Sequence, residues 1–117
     1  MSHKMSLNDP WFHYVKSNQK LYEGRKYSEQ MRSIKIGDQI ILNHHTDPQQ
    51  ESFTRKVIGI HPFKTFSEGL SDFEKKGLLE RILPGVESVE DGVNIYFRYV
   101  SLKTQEQVGV VFFELSD

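Results

Sequence analysis

Asn18-Gln19-Lys20-Leu21-Tyr22-Glu23-Gly24-Arg25, followed by Ile34-Lys35-Ile36-Gly37-Asp38-Gln39-Ile40, are the two segments from which the fold is read. Lys20 to Tyr27 alternates roughly between polar and apolar residues, the pattern of a strand with one buried face. Ile34 to Asp38 reads as a strand end entering a turn. Gln39 to His45, rich in Ile and Leu, continues it as a strong strand. Thr46-Asp47-Pro48-Gln49-Gln50 is a polar hairpin tip, and Phe53 to His61 is the returning strand, stopped by Pro62.

Working outward, Asp9-Pro10 opens a short helix, since Asp suits the N-cap and Pro the first helical position. Trp11, Tyr14 and Val15 follow at helical spacing, and Ser17-Asn18 ends the element. Ser71-x-x-Glu74 has the form of a capping box ahead of Leu78, Leu79 and Ile82, with Pro84-Gly85 as the stop. Ser88-x-x-Asp91 is a second cap. Val86, Val89, Val93, Tyr96 and Val100 then form an apolar stripe on one helical face, which Gly92 weakens by about 1 kcal/mol relative to Ala. Gln107 to Leu115 is apolar on both faces and suits a central strand. The expected class is α+β: a small, mostly antiparallel β-barrel with helices packed on its outside. Residues 8–117 form one domain and residues 1–7 a flexible N-terminal segment; Met5 offers a second start, with residues 1–4 as an expression scar.

The 117 residues make one domain's worth of chain. No Cys is present, which excludes disulfides, zinc–thiolate sites and thiol nucleophiles. No apolar run approaches the roughly 20 residues of a membrane helix, and the first residues lack the apolar core of a secretory signal. An intracellular address and no membrane partner are therefore expected. Fifteen Lys+Arg nearly balance sixteen Asp+Glu, so the chain is no polybasic duplex binder. The balance hides an asymmetry. Residues 16–35 carry Lys16, Lys20, Arg25, Lys26, Arg32 and Lys35 against Glu23 and Glu29; residues 68–91 carry seven acids against three bases. The basic stretch is either a phosphate- or RNA-facing surface or one solvated face of a dipolar protein.

Glu23 and Arg25 fall on the same side of an extended strand, and a turn near Asn18 would let Lys20 rejoin them. Such a trio keeps the carboxylate ionised while leaving excess positive charge for an anion, and the Arg fork suits a phosphate or a base edge. The plain alternative is an exposed strand with an ion pair worth ~0–1 kcal/mol. Arg98 and Tyr99 lie off the apolar stripe and are further binding candidates, able to clamp and stack on a base, whereas Tyr96 reads as core. His44 and His45 point to opposite faces of a strand and make a poor metal pair, so neither metal nor cofactor is expected. Glu87, Glu90 and Asp91 suit a helix N-terminus. No phosphate-binding loop, nucleophile elbow or zinc-protease motif occurs.

Together, Asn18 to Arg25 and Ile34 to Ile40 resemble the signature of the ASCH family, a Gly-x-Lys-x-x-Glu-x-Arg segment followed by a Lys-x-Gly-Asp turn into a strand. Leu83-Pro84-Gly85, Gly92-Val93-x-Ile95-Tyr96 and Gly109-Val110-Val111 look like one branch of it, so the resemblance spans residues 8 to 115. It implies a PUA-like barrel with a cleft bearing Lys20, Glu23 and Arg25, and a role in binding RNA, nucleotides or modified nucleosides. Some small bacterial members hydrolyse N4-acetylcytidine with that Lys and a Thr three residues later. Here Glu23 stands at the Thr position, Asn18 at the Gly and Leu21 at a frequent Thr; a Glu can act as general base on water.

Three functional classes follow. A binding module would set Lys20 and Arg25 on phosphate or base with Glu23 orienting them. A hydrolase of a modified pyrimidine nucleoside would use Glu23 to activate water and Lys20 to hold the oxyanion as catalytic pair. An interaction domain would present its acidic helical region to a basic protein partner. The first is favoured, with a compact ligand or short RNA element, because no extended basic stripe is present.

Overall fold

The computed structural model describes residues 1–117. Strands β1 (Ser2–Leu7), β2 (Tyr22–Lys26), β3 (Gln39–His44), β4 (Phe53–Phe63) and β5 (Val110–Leu115) form one sheet in the order β1-β3-β4-β5-β2. Three of its pairings are antiparallel, and β1 lies parallel to β3 with Ser2 opposite Gln39. The sheet curls into a half-barrel whose outer strands, β1 and β2, form no ladder with each other. Around it pack α1 (Trp11–Lys16), α2 (Glu29–Arg32), α3 (Phe66–Lys75), α4 (Leu79–Ile82), α5 (Val89–Phe97) and α6 (Leu102–Val108).

Strand β5 explains the two-sided core. Val111, Phe113 and Leu115 point into the curled sheet, where Met5, Phe12, Ile40, Leu42 and Val57 meet them. Val110 and Phe112 point the other way and are covered by Phe66, Leu70 and Phe73 of α3 and by Tyr96 of α5. The continuous apolar run read as a central strand is therefore buried on both faces, as a strand between two layers must be. The α5 stripe packs in the second cluster as expected, with Ser88 Oγ accepting from the Asp91 N–H. Gly92 has a packing reason: a Cβ there would lie 3.0 Å from Leu70 and 3.1 Å from Leu83.

Four local expectations are corrected. Residues 1–7 do not hang free: Ser2–Leu7 is β1, and its alternate residues Met5 and Leu7 are buried in the sheet's concave core. The cap expected at Ser71 sits instead at Thr65, whose Oγ1 accepts from the Glu68 N–H, so Ser71 falls inside α3. Thr65-x-x-Glu68 has the same capping-box form, and the apolar spacing of Phe66, Leu70 and Phe73 selects it. Asp9 does not cap α1, because its carboxylate reaches across to His13 and His44. Residues 107–108 end α6, an element absent from the sequence reading, and the strand begins only after Gly109 at φ +78°.

No helix is long and apolar enough to cross a membrane.

Candidate nucleoside-sized site

The chain reaches β2 from α1 through Asn18, whose φ of +64° is the left-handed turn that Asn tolerates. The Gln19 and Lys20 N–H groups both donate to the Tyr14 carbonyl, which fixes that turn. Lys20 thus precedes the strand and escapes its alternation. Its Nζ comes 3.4 Å from Glu23 Oε1, while Arg25 Nε donates to Glu23 Oε2 at 2.8 Å. The structure therefore brings Lys20, Glu23 and Arg25 together as a row with the carboxylate in the middle.

Their individual roles differ from what the bare motif suggests. Lys20 is only 2% exposed, and its Nζ also donates to the Tyr22 carbonyl at 2.6 Å and the Ile82 carbonyl at 2.5 Å. With Glu23, those bonds occupy all three ammonium protons. Lys20 is thus committed to holding Glu23 and joining α4 to β2, and is not a free phosphate contact. Burial pushes its ammonium below the ordinary 10.5, against the opposing pull of Glu23. Arg25 spans the open side of the half-barrel, its Nη2 donating to the Ser6 carbonyl of β1 at 2.9 Å.

This row forms one wall of a cavity of about 350 Å³ lying around the outer edge of β2, within the range of small-ligand sites. Ser6, Leu7 and Asn8 close it on the β1 side, Trp11 on the α1 side, and Ser28 and Met31 at α2. Tyr96, Tyr99 and Val100 supply the far wall. The Trp11 ring stands 5.9 Å from Lys20 Nζ, a contact that steadies the cation from its apolar side.

Tyr99, 60% exposed, stands at the rim of the cavity. Arg98, the exposed C-cap residue of α5, is not among the lining residues, so it is not brought to this site. Tyr96 was read as core and is partly that, stacked on Phe66 at 4.0 Å with the rings nearly coplanar. It also lines the cavity, and its hydroxyl proton has no acceptor, although the Gly24 N–H approaches the phenol oxygen. Burial, then the nearby Glu23 charge, raise the phenol well above its ordinary 10.0, so it stays a neutral donor. Trp11 and Ser28 were also missed; only their spatial convergence on the β2 edge marks them.

His44 does join two possible ligands: Asp9 Oδ1 lies 3.0 Å from His13 Nε2 and Asp9 Oδ2 lies 3.0 Å from His44 Nε2. His44 Nδ1, however, accepts from the Thr46 and Asp47 N–H groups. That assigns the ring proton to Nε2, the atom facing Asp9. The cluster is organised as a hydrogen-bonded anchor between α1 and β3, whereas a metal-bound His presents a bare nitrogen and donates with the other.

No protein-family model matches the chain, and no curated protein matches it. Among solved structures it is similar to the hypothetical protein PH0355, with 34% identity, TM-score 0.83, and coverage of 99% of this chain and 98% of that one. It is also similar to PF0455 from Pyrococcus furiosus, with 33% identity, TM-score 0.73, and coverage of 99% and 96%. ASCH from Zymomonas mobilis shares the fold at 14% identity and TM-score 0.65, over 99% of this chain and 67% of that one.

Proposed function

From a chain that belongs to one family with the hypothetical protein PH0355 and has the ASCH fold, we propose a domain that binds a single nucleobase or nucleoside, free or at an exposed position of an RNA, in the β2-edge cavity. The observation that carries this reading is the Lys20–Glu23–Arg25 row opening on a half-open, aromatic-walled space of about 350 Å³. A planar base would stack on Trp11 or Tyr99 and present an amino group to the Glu23 carboxylate. The uncommitted edge of the Arg25 guanidinium suits a ring acceptor or a neighbouring phosphate. The size of the space favours one base over a length of duplex.

A second reading, hydrolysis of an acylated pyrimidine nucleoside, draws on one further observation. A buried carboxylate and a buried lysine with a lowered pKa face the same cavity, a setting in which acid–base chemistry is tuned. In that reaction Glu23 would take a proton from water as the water's oxygen attacks the acyl carbon. The tetrahedral intermediate would then collapse with loss of the base's amino group, which regains the proton.

Both readings are tested by titrating the four ribonucleosides and N4-acetylcytidine against the protein and its Glu23→Gln variant, following heat and product by calorimetry and chromatography. Saturable binding of a nucleoside, weakened at least tenfold in Glu23→Gln, is the expected result. Turnover of N4-acetylcytidine that vanishes in the variant while binding persists would promote hydrolysis. No binding by any of the five would retire the nucleoside reading.

A further inference from the structure

Tyr96 and Gly24 meet in a way that packing alone does not require. Tyr96 is 7% exposed, its ring stacks on Phe66 and meets Phe112 edge-on, and its hydroxyl proton has no acceptor, the Gly24 N–H being the one polar group that approaches Oη. A buried hydroxyl without a partner is destabilising, and native proteins rarely keep one without a use. The space that admits it exists because residue 24 has no side chain: a Cβ on Gly24 would stand 2.5 Å from Tyr96 Oη and 2.9 Å from the Phe112 ring. A Phe at 96 would keep both aromatic contacts, and would remove the unpaired donor. The chain instead spends a glycine inside a strand to seat a phenol that donates to nothing in the protein.

Glu23 and Arg25, the neighbours of Gly24, both line the cavity, as do Gly24 and Tyr96 themselves. We infer that Tyr96 is a specificity-determining residue whose hydroxyl donates to a carbonyl or ring-nitrogen acceptor of the ligand, beside the carboxylate of Glu23 that accepts from the ligand's amino group. This deepens the nucleobase reading, on which its choice of ligand rests. A neighbouring donor and acceptor in the wall select a heterocycle carrying the complementary pair, an amino group next to an acceptor. They disfavour a base edge that offers a second donor to Tyr96. Oη is buried, so the ligand's acceptor reaches it only by displacing part of the cavity wall.

The test compares the wild-type protein with Tyr96→Phe in three measurements. Urea unfolding without ligand should show the variant at least as stable as wild type, because it loses only an unpaired buried hydroxyl. Cytidine, which carries the complementary edge, should bind the variant about tenfold more weakly, the loss of one hydrogen bond to the ligand. N-methylacetamide, a carbonyl probe that assumes nothing about nucleosides, should shift the Gly24 amide resonance in wild type and not in Tyr96→Phe. A clearly destabilised variant would mean that the hydroxyl already has a structural partner, and would overturn the assignment. So would an N-methylacetamide response that is equal in the two proteins or absent from wild type. A probe response confined to wild type, with no cytidine binding, would sink the nucleobase reading and leave Tyr96 as the donor.

Discussion

Lys20 is a buried ammonium whose three protons go to Glu23 and to the carbonyls of Tyr22 and Ile82. Replacing it by Met strands a carboxylate and two carbonyls away from water, while only Arg25 still pairs with Glu23. The expected loss is about 3–5 kcal/mol, the range for removing one partner of a buried pair, readable as a lower urea midpoint. A second residue-scale prediction concerns Asp38. Its carboxylate accepts from His3 Nε2 at 2.8 Å and from the Lys35 N–H at 3.0 Å, and these bonds, His3 first, hold it below the ordinary 3.8. The folded protein keeps this carboxylate ionised at pH values where the unfolded chain has taken up the proton. Its contribution is therefore complete above pH 3.8 and is lost as pH falls through the folded value. Asp38→Asn should flatten the acid limb of the stability curve, and an NMR titration of Asp38 should place its midpoint below 3.8.

At the scale of elements, the two competing caps of α3 separate cleanly. Thr65→Ala should lower stability by about 1 kcal/mol, since the Glu68 N–H loses its acceptor. Ser71→Ala, inside the helix, should stay within about 0.5 kcal/mol, as compared by thermal unfolding. Strands β2 to β5 and the stripe of α5 were legible because burial imposes a period that survives in the residues themselves. Strand alternation also placed Glu23 beside Arg25, whereas the return of Lys20 rested on a turn at Asn18, a residue that tolerates the left-handed region. What was hidden depends on distant partners. Strand β1 is short and polar at alternate positions, and only β3, a long way along the chain, makes it a strand. Tyr96 belongs at once to the α5 stripe and to the cavity, and a periodicity reports the first role alone. The commitment of Lys20 to the Ile82 carbonyl required α4 to be in place.

For the whole molecule, the N-terminal strand decides whether the half-barrel holds a cavity. Met5 and Leu7 are buried in the concave core, and the Ser6 carbonyl takes the Arg25 guanidinium. Met5→Ala should lose about 2–5 kcal/mol. Removal of residues 1–7 should leave a less stable protein that no longer binds any ligand of the β2-edge cavity, with the two effects separated by measuring affinity well below the unfolding midpoint. The charge asymmetry of the sequence has a different status from the cavity. Arg32, counted in the basic stretch, is spent on the Tyr27 and Val108 carbonyls and lies over the Tyr27 ring.

Where β1 faces β2, the ladder that joins every other neighbouring pair of strands is missing, and the Arg25–Ser6 bond crosses the gap. A seam of that kind is the place where a sheet breathes at the lowest free energy. Amide protons on the facing edges of β1 and β2 should therefore trade with deuterium well before those of β4 and β5. A molecule seated in the gap would touch both lips at once and act as a rivet, slowing exchange along the seam ahead of any change in the rest of the sheet.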